Sequence, residues 1–75
     1  MGCINPDGTL TETARKVLLS IKDTALNEKG IAQATGLPMF KVRASIRDMF
    51  GVGFLYETDS KQFEISPVGV KVLES

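Results

Sequence analysis

The sequence predicts an α+β domain in which three helices are followed by a two-stranded hairpin and a short C-terminal helix. Two long segments, residues 10–22 and 38–50, carry apolar residues at helical spacing and have favourable helix starts. Residues 54–65 contain two β-favouring stretches around a polar turn. The last segment opens with Ser66-Pro67, which suits the start of a helix.

The first helix is predicted from about Leu10 to Lys22. Residues 5–8 (Asn-Pro-Asp-Gly) match the preferences of a type I turn, and Thr9 has the capping-box spacing to Glu12. Residues 1–8, ahead of the helix, are expected to be flexible. The inward stripe of the helix consists of Leu10, Ala14, Val17, Leu18 and Ile21.

The second helix is short and is expected to begin after Asn27, a good N-cap residue. Glu28 occupies its first turn, where the helix dipole favours a carboxylate. Ile31 and Ala34 are predicted to face inward. Gly36 is predicted to end the helix in a left-handed conformation.

The third helix is predicted from Pro38 to Phe50. Val42, Ile46 and Met49 follow one another at spacings of 4 and 3 residues and form its inward stripe. The outward positions are then Met39, Phe40, Lys41, Arg43, Ala44, Arg47 and Asp48.

The β-structure is predicted in residues 54–58 and 61–65, which pair around Asp59-Ser60. Residues 24–26, between the first two helices, are too few for a helix and are expected to be extended. Residues 66–74 contain valines that alternate as in a strand. Their start and the similarity of residues 65–73 to residues 10–18 nevertheless favour a helix.

Composition excludes most catalytic and metal sites. The 75 residues carry nine basic and nine acidic side chains, no His and one Cys. One Cys without His cannot supply the four ligands of a structural zinc site, a Ser-His-Asp triad or a disulfide framework. We therefore expect no enzyme activity, no metal and no cofactor.

Cys3 is expected to be a free thiol, which suits a reducing compartment. No apolar run approaches the ~20 residues of a membrane span, and the first residues lack the pattern of a secretory signal. These observations favour a soluble, cytoplasmic protein with no membrane partner.

One pattern resembles a known family. It reads Ile31-Ala32-x-x-x-Gly36-Leu37, then the apolar stripe of the third helix, then Gly-Phe-Leu at 53–55. Spacing and residue types resemble the winged helix-turn-helix domains of bacterial and archaeal repressors. Residues 63–73 (Phe-x-Ile-Ser-x-x-Gly-x-x-x-Leu) are similar to the segment that closes the wing in that family. The resemblance implies one domain over residues 1–75, with a helix-turn-helix at 27–50, a wing at 54–65 and a last helix at 66–74.

The resemblance implies a sequence-specific DNA-binding transcriptional regulator whose third helix enters the major groove. Residues 31–50 have a net charge of +2 and residues 51–75 a net charge of −2, so overall neutrality does not exclude DNA. Arginine can bind guanine bidentately, an apolar side chain can meet a thymine methyl group, and glutamine can bind a phosphate. The DNA-binding residues expected by resemblance are Gln33, Met39, Phe40, Lys41, Arg43, Ala44, Arg47 and Lys61.

An alternative is a winged-helix protein-interaction module with little or no DNA affinity. The apolar pair Met39-Phe40 would then dock a protein partner, and the basic residues would be ordinary solvated surface. The wing also carries three acidic residues against Lys61, which disfavours phosphate contact there. The last helix is a second possible docking surface for that partner. If the protein is instead a DNA-binding regulator, we expect a homodimer that uses the first and last helices.

Overall fold

Four helices and a two-stranded antiparallel sheet follow one another in the predicted order in the computed structural model, which describes residues 10–74. The elements are α1 (Glu12–Ser20), α2 (Glu28–Thr35), α3 (Met39–Gly51), β1 (Leu55–Glu57), β2 (Phe63–Ile65) and α4 (Pro67–Glu74). The α+β prediction is therefore confirmed. Within residues 10–74, no helix is long and apolar enough to cross a membrane.

The core lies between α1, α2, α3 and the inner face of the hairpin. The predicted apolar stripes of α1 and α3 are all buried, and both strands add a buried residue at their first position. The core residues are Leu10, Ala14, Val17, Leu18, Ile21, Ile31, Val42, Ile46, Met49, Leu55 and Phe63. Periodicity thus identified the buried faces of the two longest helices correctly.

The helix α1 is two residues shorter at each end than the predicted span from about Leu10 to Lys22, and its predicted N-cap is wrong. Its N-cap is Thr11, whose Oγ1 accepts the N–H of Ala14 at 3.2 Å, instead of Thr9. Leu10 precedes this cap and is only 7% exposed, so the chain enters the core before it turns into the helix. Thr9, the turn predicted at residues 5–8 and the flexibility predicted for residues 1–8 lie outside the described residues.

The ends of α2 match the prediction. Asn27 Oδ1 accepts the N–H of Gly30 at 2.7 Å, and Gly36 adopts φ +74° at the C-cap. Ile31 is buried, but the inward prediction for Ala34 is wrong because Ala34 is exposed. It lies in an open groove beside Leu19 of α1, which is itself exposed and does not cover it.

The segment before α2 is extended, as predicted, and Leu26 forms an isolated antiparallel bridge with Phe63 of β2. The N–H of Leu26 donates to the carbonyl of Phe63 at 3.2 Å, and the N–H of Phe63 donates back at 2.7 Å. The strands β1 and β2 are shorter than predicted because Thr58 to Gln62 form the turn. There the N–H of Lys61 donates to the carbonyl of Thr58 at 3.0 Å, and Lys61 has φ +61°.

The helix α4 confirms the helical interpretation of the valine-rich tail. Ser66 precedes it, and the N–H of Gly69 donates to Ser66 Oγ at 3.1 Å, the bond typical of an N-cap. The helix packs on α1 and β2, and Arg15 Nη1 donates to the carbonyl of Leu73 at 3.1 Å. The contacts of α4 therefore connect the first helix to the wing.

Ser45 lies on the buried side of α3 and is 1% exposed, with no hydrogen-bond partner for Oγ among the described residues. A buried hydroxyl without a partner costs free energy that alanine would not cost. We expect Ser45→Ala to raise the free energy of unfolding by up to about 1 kcal/mol in urea denaturation. The matched control is Ser66→Ala, which removes a bonded cap oxygen and should lower that free energy by about 1 kcal/mol. A Ser45→Ala protein less stable than wild type would contradict the prediction.

Candidate nucleic-acid interface

The exposed face of α3 carries a continuous row of four side chains. Phe40, Arg43, Ala44 and Arg47 are spaced by 3, 1 and 3 residues, so they share one side of the helix. All four are exposed, and they lie opposite the buried stripe that includes Val42. We call these four residues the recognition row. It places two guanidinium groups one helical turn apart, with an aromatic ring before them.

The remaining predicted site residues lie around this row. Lys41 is exposed on α3, about 100° around the helix from Phe40. Gln33 is exposed on α2, and Lys61 is exposed at the tip of the wing. Met39 is half-buried. All eight predicted residues thus have accessible surface, although they come from three separate parts of the chain (α2, α3 and the wing).

A groove of about 390 Å³ brings three parts of the chain together. Its walls come from the start of α2, the start of α3 and the wing. The lining residues are Asn27, Glu28, Lys29, Met39, Glu57, Lys61 and Phe63. Met39 and Lys61, predicted separately from helix and wing, therefore line the same groove. The recognition row lies outside this lining.

An ion pair connects α2 to the recognition row. Arg43 Nε lies 3.4 Å from Glu28 Oε1 and donates a hydrogen bond to it. Both side chains are substantially exposed, so the pair adds little to stability. Its main consequence is geometric, because binding through Nε leaves the two terminal nitrogens of Arg43 as a fork for another acceptor. The pair also offsets part of the positive charge of α3.

The wing carries a cross-strand hydrogen bond on its outer face. Tyr56 and Glu64 are paired residues of β1 and β2, and the Tyr56 hydroxyl donates to Glu64 Oε1 at 2.8 Å. This hydrogen bond to a carboxylate, helped by desolvation and the negative charge, raises the pKa of Tyr56 above its ordinary value. Glu57 and Asp59 are exposed, so the only cation on the described wing, Lys61, has acidic neighbours in sequence.

Two residues of this surface, Lys29 and Glu28, are not among the DNA-binding residues expected from the sequence. Lys29 is exposed in the first turn of α2 and lines the groove, and Glu28 holds Arg43. The sequence could have indicated Lys29 as an anion-binding residue, because it lies close to the N-cap of α2 and backbone N–H groups at a helix start favour anions. The contact between Glu28 and Arg43 had no sequence signal, since the two residues are 15 positions apart.

No group of three or more potential metal-ligating side chains (His, Cys, Asp or Glu) comes together within residues 10–74. The recognition row and the groove instead offer guanidinium, ammonium, amide and apolar groups. These groups can bind a polyanion with apolar features by hydrogen bonding, charge and packing.

Comparison with known proteins gives a structural match. No protein-family model matches the chain, and no curated protein sequence matches it. A solved structure of BpsR from Bordetella bronchiseptica, whose DNA binding is regulated by 6-hydroxynicotinic acid, superposes with a TM-score of 0.81 at 24% identity. The match covers 92% of this chain and 53% of BpsR, so the chain spans about half the length of that protein. Element order, hairpin and superposition together establish that this chain has the winged helix-turn-helix fold.

Proposed function

We propose that this chain is a sequence-specific DNA-binding domain of a transcriptional regulator, with α3 as the helix that enters the major groove. The observation that carries the proposal is the recognition row, whose four residues are exposed on the helix that this fold presents to DNA. The likeness to BpsR, a protein that binds DNA, supports the same function.

The roles of the individual residues follow from their chemistry. Arg43 and Arg47 are suited to bind guanine edges or phosphates, since each carries a planar fork of donors. Gln33, Lys41 and Lys61 are suited to bind the sugar-phosphate backbone, and we add Lys29 from the groove. Phe40, Met39 and Ala44 would supply apolar contact.

The charge distribution predicts modest affinity dominated by the helix. Three cations lie on α3, and one of them is partly neutralised by Glu28. The exposed carboxylates of Glu57 and Asp59 repel phosphates, so the wing is limited to the single backbone contact of Lys61. Specificity would therefore come from α3 instead of the wing.

A homodimer would increase this affinity. Leu19 on α1 and Val68 on α4 are exposed apolar residues on the two helices expected to form the partner surface. In a symmetric dimer the two copies of α3 would enter successive major grooves about 34 Å apart. Because the sequence resembles bacterial and archaeal repressors, the proposal includes a prokaryotic cell, a cytoplasmic location and no catalytic role.

A second candidate function is protein binding through Met39 and Phe40. It is favoured by the 70% exposure of Phe40, because large exposed apolar residues often mark protein interfaces. Under this function, duplex DNA would leave α3 unaffected. A protein partner would be lost when Met39 and Phe40 are both replaced by serine.

The proposed function is tested by titrating the ¹⁵N-labelled protein with a mixed-sequence duplex at two salt concentrations. We expect chemical-shift changes confined to Gln33, Lys29, Lys61 and residues 39–47. With all five proposed cations (Lys29, Lys41, Arg43, Arg47 and Lys61) at phosphates, the logarithm of the affinity should fall with the logarithm of salt at a slope of about −4.5 per protomer. Changes centred on α1 and α4 and absent from α3 would contradict DNA binding by the recognition row.

A further inference from the structure

Phe40 is the most exposed large hydrophobic residue in the described part of the chain. Its exposure is 70%, against 53% for Phe50 on the same helix. Covering an aromatic ring that is exposed to this extent is favourable, because it transfers apolar surface out of water. Its place in the fold therefore indicates which partner covers it.

Phe40 is the second residue of α3 and the first member of the recognition row. The N-terminal residues of a recognition helix contact base edges in the major groove. Ala44 lies one turn further along the same face and is exposed and small, so it leaves room for a partner to approach the ring closely.

The surroundings of Phe40 are cationic. Residues 39–47 contain Lys41, Arg43 and Arg47 and no acidic residue, and the acidic partner of Arg43 comes from α2. Protein interfaces also use aromatic residues and arginine, so the ring and the arginines by themselves fit either partner. Three cations with no carboxylate within nine residues of one helix, however, complement a polyanion. The exposed ring among them is well suited to a polyanion that has an apolar feature between its phosphates.

The major groove of DNA contains one such feature. Thymine presents a C5-methyl group there, and 5-methylcytosine presents the same group. We infer that Phe40 is a specificity-determining residue that contacts the C5-methyl group of a pyrimidine in the major groove. The inference rests on the proposed function and adds a chemical feature that the target site must contain.

The test uses two duplexes selected from randomised libraries, one made with thymine and cytosine and one with uracil and 5-methylcytosine. Each selected duplex is then compared with its counterpart that lacks only the methyl groups, using uracil for thymine or cytosine for 5-methylcytosine. Loss of one buried methyl contact should weaken binding by about four-fold. The duplex that shows this difference identifies which pyrimidine is recognised.

Two variants make the comparison specific. Phe40→Ala should bind methylated and methyl-free duplexes equally. Phe50→Ala, which removes the other exposed ring of α3, should keep the four-fold difference. Both residues are exposed, so unchanged thermal unfolding would confirm that the fold is intact.

The outcomes separate the role of Phe40 from DNA binding itself. Equal binding of wild type to methylated and methyl-free forms of both duplexes would overturn the role of Phe40 and leave DNA binding intact. A four-fold difference that persists in Phe40→Ala would also overturn it. Failure to select or bind any duplex would instead overturn the proposed function.

Discussion

Replacing Gly69 by alanine is expected to destabilise the domain by about 3 kcal/mol or more. A Cβ at position 69 would lie 2.1 Å from the carbonyl oxygen of Phe54 and 2.8 Å from Ile65 Cγ1. The nearest obstacle is backbone and cannot rotate away, so α4 would have to move off the wing. Phe54 also accepts the N–H of Ser66 at 3.0 Å, and that bond would be strained by the same movement.

The expected loss is large for a domain of this size, whose single core rarely supplies more than about 3–5 kcal/mol. We therefore expect Gly69→Ala to be largely unfolded near 37 °C, as measured by circular dichroism and urea denaturation. The matched control is Gly51→Ala, at the end of α3, where a new Cβ meets nothing within 4 Å. That substitution should stabilise the helix by about 0.5–1 kcal/mol. Equal stability of the Gly69 and Gly51 variants would contradict the packing described here.

The double substitution Arg43→Ala plus Arg47→Ala is expected to weaken duplex binding by at least about 30-fold. Each arginine that contacts a base or phosphate contributes about 1–3 kcal/mol. Loss of two phosphate-neutralising groups should also make the salt slope shallower by about 1.8 per protomer. Fluorescence anisotropy with a labelled duplex at several salt concentrations measures both quantities.

The control for this experiment is Lys16→Ala plus Lys22→Ala, which removes the same charge from α1 and the segment after it. It should leave the affinity within about three-fold of wild type at moderate salt, because neither lysine belongs to the proposed contact residues and salt screens exposed charges that make no direct contact. The single variants Arg43→Ala and Arg47→Ala measure how much each arginine contributes to the affinity for the duplex. Arg43→Ala leaves the Glu28 carboxylate without its described partner, so it should weaken binding more than Arg47→Ala. Unchanged affinity in the double variant would refute DNA binding through the recognition row.

The elements could be predicted because their signals are local. Asn27 caps α2 through a bond to a residue three positions away, and Gly36 ends it because glycine adopts positive φ without strain. The stripe of Val42, Ile46 and Met49 follows from the helical repeat alone. No knowledge of the remaining chain is needed for any of these interactions.

The errors occurred where packing overrode a local signal. The cap predicted at Thr9 is formed instead by Thr11, because Leu10 enters the core before the helix begins. Ala34 had the right spacing to face inward, but α1 leaves its side of α2 open. Ser45 shows the converse, since a polar residue became buried because its position on α3 faces the core.

The exposed residues of the candidate site could be predicted from the sequence, but the contacts between them could not. Helical periodicity in the sequence predicts the helix bounds to within a few residues, the buried faces and the exposed row from Phe40 to Arg47. Three contacts instead depend on how the elements pack: Glu28 binds Arg43, Met39 and Lys61 line one groove, and Gly69 lies against Phe54. These contacts join residues 15 to 22 positions apart in the chain, and their distances depend on how α2, α3, α4 and the wing pack around the shared core.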